Sequence, residues 1–360
     1  MAYTTIDNSL EFFAQTLYTG NSTARTITTG MQADLLWIKQ RSTVRPNVLF
    51  DTVNTNNFAG GNSKYLVANT DGAITSNNST QLTGIISTGF TMGADNSDQI
   101  NGNGDTAVAW TWKANGVGSS DTTGSINSTK TSANATSKCS IVTYTGSGSN
   151  ATVGHGLGVV PASIWVKCTS NAGEDWMVYH KSLGATHYLT LNTTAGDNSG
   201  GEVIWNDTLP TSSVFSIGTN GKVNTNGRTY VAYLFAEVKG FSQINRYFGN
   251  GQADGAYTYT GFRPGWIMIK RADAAGDNWL ILDAKRQGYN GGSGATQGNL
   301  NLTADQGASE GNETLLDIYS NGYKIKTADA KINGSGNGYT YWAFAENPFV
   351  TSTGIPTPAR

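Results

Sequence analysis

Short runs of alternating hydrophobic and polar residues fill most of the chain. Such alternation is typical of β-strands, because successive side chains of a strand point to opposite faces of the sheet. The aromatic pairs Trp110 with Trp112 and Trp342 with Phe344 follow the same spacing. Turns rich in glycine, asparagine and serine separate the runs, and helical periodicity is nearly absent. The pattern therefore predicts an all-β chain.

The same order of runs occurs three times along the chain. Each copy has a strand that ends in lysine, a second strand shortly after it, and a final strand with alternating aromatic residues. The lysine-terminated runs are 35–39, 163–167 and 266–270, the second runs are 47–51, 176–180 and 279–283, and the final runs are 108–112, 231–235 and 340–344. The repetition predicts that the strands of Trp37, Trp165 and Met268 occupy one position in three copies of a module.

The expected architecture is three tandem antiparallel β-sandwich modules of the jelly-roll or concanavalin-like type. The modules span 1–115, 141–240 and 241–349, and a C-terminal arm spans 350–360. Residues 116–140 are mostly glycine, serine, threonine, asparagine and alanine, which bury too little apolar surface to fold alone. They are therefore expected to form a flexible linker or a long exposed loop. The second and third modules meet without such a spacer, which favours a fixed geometry between them.

The chain is weakly charged, since aspartate, glutamate, lysine and arginine make up 13% of it and the formal net charge is -2. Nucleic acid is not an expected partner, because binding to it depends on clustered lysine and arginine. No apolar run is long enough to span a membrane, and the N-terminus lacks the basic and apolar regions of a signal peptide. These features fit a particle that is assembled inside a cell and released by lysis.

The chain has two cysteines, Cys139 and Cys168. Two thiols are too few for a disulfide framework or a four-thiolate zinc site. The sequence leaves open whether they form one disulfide, because it does not fix the distance between them. Stability is therefore expected to come from packing.

Candidate catalytic groups are few. The three histidines, His155, His180 and His187, all lie in the second copy, and the other copies have threonine or aspartate at the positions of the first two. The adjacent carboxylates Glu174 and Asp175 lie in a turn and are expected to point to opposite sides, whereas a glycosidase needs two facing carboxylates. No zinc-binding or phosphate-binding motif is evident. We therefore expect no enzymatic activity, no catalytic residue, no metal site and no cofactor.

Aromatic residues are the best candidates for ligand binding. Trp37 and Trp165 share one repeated position, and Trp176 and Trp279 share another, which predicts a core role for all four. Three aromatic residues near loops rich in glycine and asparagine lack such counterparts. These candidates for contact with a glycan or a protein at a loop rim are Trp205, Tyr188 and Tyr289.

Recurring motifs lie at 36–39, 50–51, 89–90, 109–110, 154–158 and 345–349. These motifs resemble those of a repeat domain of marine tailed-phage structural proteins, which include tail fibres and other virion components. The likeness covers most of the chain, although the third copy has Thr-Gly-Phe-Arg at 260–263 where the His-Gly-Leu-Gly segment belongs. Such domains are similar to SPRY and concanavalin-like sandwiches. The resemblance therefore implies binding through loops at one rim and no chemistry.

Three functions stay open at this point. The first is a bacteriophage virion structural protein, as a tail fibre, appendage or capsid decoration that contributes to host-surface attachment. The alternative is a lectin-like carbohydrate-binding protein, and the most distant is a polysaccharide depolymerase. The extended C-terminus predicts assembly through Pro348, Phe349 and Val350. The expected partners are other virion proteins, a host-surface glycan and further copies of the chain in a homo-oligomer, with a trimer favoured.

Overall fold

Three large antiparallel sheets, each of six strands, form the framework of the protein. They belong to a computed structural model that describes residues 3–54, 63–76, 80–287, 290 and 299–356. Strands make up 42% of the structure and helices 5%, which confirms the prediction of an all-β sandwich architecture. Within the described ranges each helix has at most four residues, so none has the length of a membrane-spanning segment.

The first module contains a large and a small sheet. Its strands are β1 (Phe13–Thr19), β2 (Arg25–Thr28), β3 (Leu35–Gln40), β4 (Val48–Asp51), β5 (Lys64–Val67), β6 (Thr75–Ser76), β7 (Leu82–Ile86), β8 (Gly89–Met92) and β9 (Thr106–Trp112), after a 3₁₀-helix at Ser9–Glu11. The strand order is β1-β9-β3-β4-β5-β6 in the large sheet and β2-β8-β7 in the small sheet. The first and last strands of the module are therefore neighbours.

The second module repeats this arrangement with one additional strand at the edge. Its strands are β10 (Lys130–Ala133), β11 (Cys139–Thr145), β12 (Ala151–Gly154), β13 (Ser163–Cys168), β14 (Met177–His180), β15 (Leu189–Thr190), β16 (Val214–Ile217) and β17 (Thr229–Phe235), and its helices are α1 (Gly201–Ile204) and α2 (Gly221–Asn224). The large sheet has the order β10-β11-β17-β13-β14-β15, and β12 pairs with β16.

The third module again has a large and a small sheet. Its strands are β18 (Ser242–Phe248), β19 (Tyr257–Tyr259), β20 (Phe262–Arg271), β21 (Leu280–Asp283), β22 (Asn299–Thr303), β23 (Gly311–Glu313), β24 (Leu316–Tyr319), β25 (Gly322–Ile325) and β26 (Gly338–Pro348), and its helices are α3 (Ala284–Gln287) and α4 (Ala330–Asn333). The orders are β18-β26-β20-β21-β22-β23 and β19-β25-β24.

The lysine-terminated strand occupies the same position in each large sheet. β3, β13 and β20 each lie between the last strand of the module and the strand that follows them in the chain. Opposite residues also correspond: Trp37 pairs with Trp110, Trp165 with Tyr233, and Met268 with Trp342. The predicted equivalence of these three strands is confirmed.

The segment 116–140, expected as a flexible linker, is instead an ordered part of the second module. β10 pairs with β11 along four residues, and Ser119 forms a β-bridge with Thr131. The hydroxyl of Ser132 is buried and accepts a hydrogen bond from the backbone N–H of Asn115 (2.8 Å). The composition misled the prediction because hydrogen bonds by hydroxyl and backbone groups hold this segment with little apolar burial.

The three large sheets pack on one shared hydrophobic core. Each residue of β3 is buried, because Leu35 and Trp37 face the shared core while Leu36 and Ile38 face the core of the first module. Aromatic contacts cross from module to module, with ring centres 6.1 to 6.4 Å apart. They join Trp37 to Trp165, Trp110 to Trp266, and Trp165 to Trp342. The first module is thus packed against the others, and the loose joint expected from a flexible linker is not present.

The contacts between modules are cyclic. An aromatic residue of each final strand contacts the last residue of the second strand of another module. The final strand of the first module contacts the third module, that of the third contacts the second, and that of the second contacts the first. The contacts are Trp110 Nε1 to Asp283 Oδ2 (3.0 Å), the Trp342 ring to the His180 ring (4.8 Å between centres), and Tyr233 Oη to Asp51 Oδ2 (2.8 Å). The chain is therefore a closed ring of three similar modules.

The beginning of the C-terminal arm rests on the N-terminal segment of the same chain. Pro348 is the last residue of β26 and pairs with Phe262, and Val350 forms a β-bridge with Pro356. The centre of the Phe349 ring lies 6.1 Å from that of the Tyr3 ring. The Ser352 N–H donates a hydrogen bond to Asp7 Oδ1 (2.6 Å). The described arm residues contact their own chain, and their packing on a neighbouring subunit or on a virion protein stays a prediction.

Candidate functional site

The lysine just before the last residue of each repeated strand is buried where two modules meet. Its ammonium group donates to one carbonyl oxygen of its own module and to one of a neighbouring module. These bonds join Lys39 Nζ to Gln40 and Gly307 (2.9 and 3.2 Å), Lys167 Nζ to Glu174 and Asp71 (2.6 and 3.0 Å), and Lys270 Nζ to Asp277 and Thr194 (2.9 and 3.3 Å). Burial lowers the pKa of each of these lysines to about 8. Their role is to join the modules.

The histidines are held by local contacts. Burial lowers the pKa of His155, whose Nδ1 accepts a hydrogen bond from the Leu157 N–H (3.2 Å). Burial also lowers the pKa of His180 to about 3, and its Nδ1 lies 2.7 Å from the Ser182 hydroxyl. His187 lies near the surface of the second module, beside its neighbour Thr186. No group of three or more His, Cys, Asp or Glu side chains in the described residues could hold a metal ion.

Each member of the Glu174 and Asp175 pair has its own cation. Glu174 forms an ion pair with Arg228, and Asp175 forms one with Lys222 (2.6 Å). Burial raises the pKa of Asp175, but hydrogen bonds from Lys222 and Asn192 outweigh it, so this pKa is lowered overall. A carboxyl group with a lowered pKa is a poor general acid, because it is ionised at neutral pH. The pair is therefore better suited to fixing a turn than to cleaving a glycosidic bond.

The aromatic residues expected at a loop rim lie in different places. Trp205 is only 2% exposed and packs edge-on against Tyr179, with ring centres 6.0 Å apart, so it is a core residue and the prediction for it was wrong. It directly follows α1 and belongs to the separate core of the second module. Tyr188 is half-buried and its backbone bonds to Asn198. Tyr289 lies outside the described residues. The predicted core residues Trp37, Trp165, Trp176 and Trp279 are fully buried, which confirms that role.

Both cysteines are buried free thiols. Cys139 belongs to the core shared by the three sheets, whereas Cys168 belongs to the separate core of the second module. The two side chains therefore lie on opposite faces of one sheet. No disulfide links them, and stability comes from packing.

An exposed aromatic row lies on β19, which is an edge strand of the small sheet in the third module. Thr258 points into the module, whereas Tyr257 and Tyr259 point outward and are 45% and 53% exposed. The Tyr319 ring packs edge-on against Tyr257, with ring centres 6.0 Å apart. Outward-facing rings at a sheet edge are available to stack on a ligand.

Tyr259 also forms one wall of a cleft of about 300 Å³. We call it the tyrosine cleft, and it is lined by Tyr3, Glu237, Lys239, Gln243, Tyr259 and Thr260. The Tyr3 hydroxyl donates to the Gly261 carbonyl oxygen (2.7 Å) and lies 3.2 Å from the Tyr259 hydroxyl. Gly261 has a φ of +78°, and a Cβ atom there would lie 2.9 Å from Tyr3 Oη. Glycine at this position thus allows Tyr3 to reach Tyr259.

The tyrosine cleft contains a cation that has no carboxylate partner among the described residues. This is Lys239, whose Nζ lies 4.5 Å from the centre of the Tyr3 ring. Glu237 is engaged, because it forms an ion pair with Lys181 (2.5 Å) and accepts a hydrogen bond from the Ile244 N–H (3.0 Å). The balance of charge in the cleft therefore favours an anionic ligand.

Sequence reasoning missed the tyrosine cleft, although the repeat contained a signal for it. Tyr259 occupies the same position in its small sheet as Thr28 in the first module and Gly154 in the second. The pairs that show this are Tyr259 with Gly322, Thr28 with Gly89, and Gly154 with Val214. One module therefore has an aromatic residue at a position where the others have threonine or glycine. Comparing the copies at this position would have singled out Tyr259.

The chain belongs to the family described as Domain of unknown function (DUF7483), whose model matches residues 8–348. The match covers all three modules. A search of curated proteins found no match.

Proposed function

We propose that this member of the DUF7483 family is a non-catalytic structural protein of a bacteriophage particle, made in the host cytoplasm and built into the virion. The observation that carries the structural role is the closed ring of modules around one core. The assignment to a phage particle rests on the motifs at 154–158 and 345–349 and their resemblance to virion proteins. A tail fibre, an appendage and a capsid decoration all agree with these motifs.

The ring explains why one chain would serve as a rigid structural block. Removing one module would expose the tryptophans that face the other two, such as Trp37 and Trp110, which contact rings of other modules. Burying a large aromatic side chain contributes about 2 to 3 kcal/mol, so each boundary between modules is strongly favoured. A block of this kind keeps its surface loops in fixed positions, which suits a protein that connects or displays other components.

A carbohydrate-binding role is the second candidate, and the tyrosine cleft favours it. Its exposed ring, Tyr259, and its cation, Lys239, are groups that contact sugars and their acidic substituents. Such binding would be compatible with host-surface attachment by a virion protein. A depolymerase has less support, because the carboxylates Glu174 and Asp175 are each paired with a basic side chain.

The homo-oligomer stays a proposal. The described arm contacts are made within the chain, through Phe349 with Tyr3 and Ser352 with Asp7. Contact of Pro348, Phe349 and Val350 with further copies of the chain, or with another virion protein, stays a prediction.

Mass spectrometry of phage particles tests the proposed function. Particles are purified on a density gradient, and peptides of this chain are quantified in each fraction beside those of the major capsid protein. We expect a constant ratio of the two across the particle peak, because a structural component is present in fixed copy number. Peptides confined to the soluble fractions of the lysate would contradict a structural role.

A further inference from the structure

The tyrosine cleft has the size and the composition of a small-ligand site. Its volume of about 300 Å³ lies at the lower end of the range for such sites. An aromatic ring, Tyr259, lines one side, and the amide of Gln243 supplies polar atoms. Tyr341 Oη donates to Gln243 Oε1 (2.8 Å), which leaves the amide nitrogen of Gln243 to donate elsewhere.

The internal repeat shows that the fold does not require an aromatic residue here. Thr28 and Gly154 take the place of Tyr259 in the other modules, and both of those modules form the same pair of strands. A tyrosine that is 53% exposed also adds little to the core of its own module. The aromatic ring is therefore better explained by contact with a ligand than by folding.

The charges of the cleft indicate the class of ligand. Lys239 is held over the Tyr3 ring without a carboxylate partner among the described residues, whereas Glu237 is paired with Lys181. A ligand with an apolar face, several hydroxyl groups and one carboxylate would complement the ring, the polar atoms and the cation together. Sugar acids have these three features, because the C–H groups of a pyranose form an apolar face and its hydroxyls bond at the edge.

We propose that the tyrosine cleft binds an acidic saccharide, with a uronate ring against Tyr259 and its carboxylate at Lys239. The apolar face of the sugar covers exposed ring surface, and the Gln243 amide donates to a sugar hydroxyl. The inference rests on the second candidate function, carbohydrate binding at this cleft, and it does not depend on the proposed place in a phage particle.

Calorimetric titration with defined saccharides tests the inference. The probes are tetramers of galacturonate and of mannuronate, and the matched neutral probes are tetramers of galactose and of mannose. The variants are Tyr259→Thr, which introduces the residue of the first module, and Lys239→Gln. The control variant is Phe248→Thr, because Phe248 is 57% exposed in the same module but does not line the cleft.

We expect at least one uronate tetramer to bind the unaltered chain. Tyr259→Thr should weaken this binding about tenfold, which corresponds to the loss of one stacking contact. Lys239→Gln should weaken it a few-fold and reduce its salt dependence, as expected for one exposed ion pair. The matched neutral tetramer should bind the unaltered chain about as weakly as the uronate tetramer binds Lys239→Gln. The control variant Phe248→Thr should bind the uronate tetramer as tightly as the unaltered chain does.

Three results would overturn the inference. They are no binding of any uronate tetramer at millimolar concentration, equal binding of uronate and neutral tetramers, and full binding by Tyr259→Thr. Near-ultraviolet circular dichroism establishes that each variant is folded. If Tyr259→Thr does not fold, the comparison of Lys239→Gln with the neutral tetramers still decides the matter. Capture of a protein that needs Tyr259, without saccharide binding, would assign the cleft to protein docking instead.

Discussion

Raising the pH from 7.5 to 9 should stabilise the fold through the three buried lysines that join the modules. Burial lowers the pKa of Lys39, Lys167 and Lys270 to about 8 in the folded chain, whereas an unfolded lysine titrates near 10.4. Between these pH values the unfolded chain binds more protons than the folded chain. The free energy of unfolding therefore rises with pH in this window, and it is insensitive to these groups well below pH 8.

The size of the effect follows from proton linkage. One proton of difference between the two states changes the free energy of unfolding by about 1.4 kcal/mol per pH unit. A lysine with a folded pKa near 8 is partly protonated over much of the window, so each one contributes about 1 kcal/mol between pH 7.5 and 9. Cys139 and buried tyrosines such as Tyr144 act in the opposite direction, because burial raises the pKa of each of these groups.

A lysine variant separates these effects. We expect Lys167→Met to lose about 1 kcal/mol of the pH-dependent stabilisation that the unaltered chain shows in this window. Lys64→Met is the matched control, because Lys64 is exposed, and it should show the pH dependence of the unaltered chain. The assay is urea unfolding at several pH values, followed by tryptophan fluorescence. Identical pH dependence in Lys167→Met and the unaltered chain would refute the reasoning, since it would show that burial does not shift the titration of this lysine.

Three other substitutions or deletions test separate parts of the structure. Tyr233→Phe removes the hydrogen bond to Asp51 that joins two modules; urea unfolding should show a loss of about 1 to 3 kcal/mol, and no loss would mean that this contact is not made. Trp205→Ala should cost about 3 to 5 kcal/mol, because Trp205 is a core residue, whereas a change below about 0.5 kcal/mol would place it at the surface. Deletion of 350–360 should leave the mass measured by light scattering unchanged, because Ser352 bonds to Asp7 of its own chain; a drop in mass would show that the arm joins subunits.

The repeated strands could be predicted from the sequence because their signals are local. Short apolar runs that end in lysine located β3, β13 and β20, and their equivalent positions followed from spacing. The packing of the three sheets on one core was missed. The run Leu35–Gln40 contained a hint, since nearly continuous apolar residues are typical of a strand that is buried on both faces. The sequence does not show which module covers each face of such a strand, because the covering residues are distant in the chain.

The errors at 116–140 and Trp205 have a related cause. Composition predicted a linker because it measures apolar content, whereas β10 is held by backbone pairing with β11. Trp205 has no counterpart in the other copies, so the repeat could not reveal that its ring is buried beside Tyr179. The tyrosine cleft could be predicted only in part from the sequence. Tyr259 differs visibly from its counterparts, but its contact with Tyr3 joins residues that are 256 positions apart.

Small-angle X-ray scattering of the full chain tests the closed ring of modules most directly. A compact body of 360 residues has a radius of gyration of about 21 Å, and three separate modules in a row would give about 30 Å. We predict a value near the first figure for the single chain, after extrapolation of the scattering to zero protein concentration. A value near the second figure would contradict the shared core, and with it the rigid block on which the proposed structural role depends.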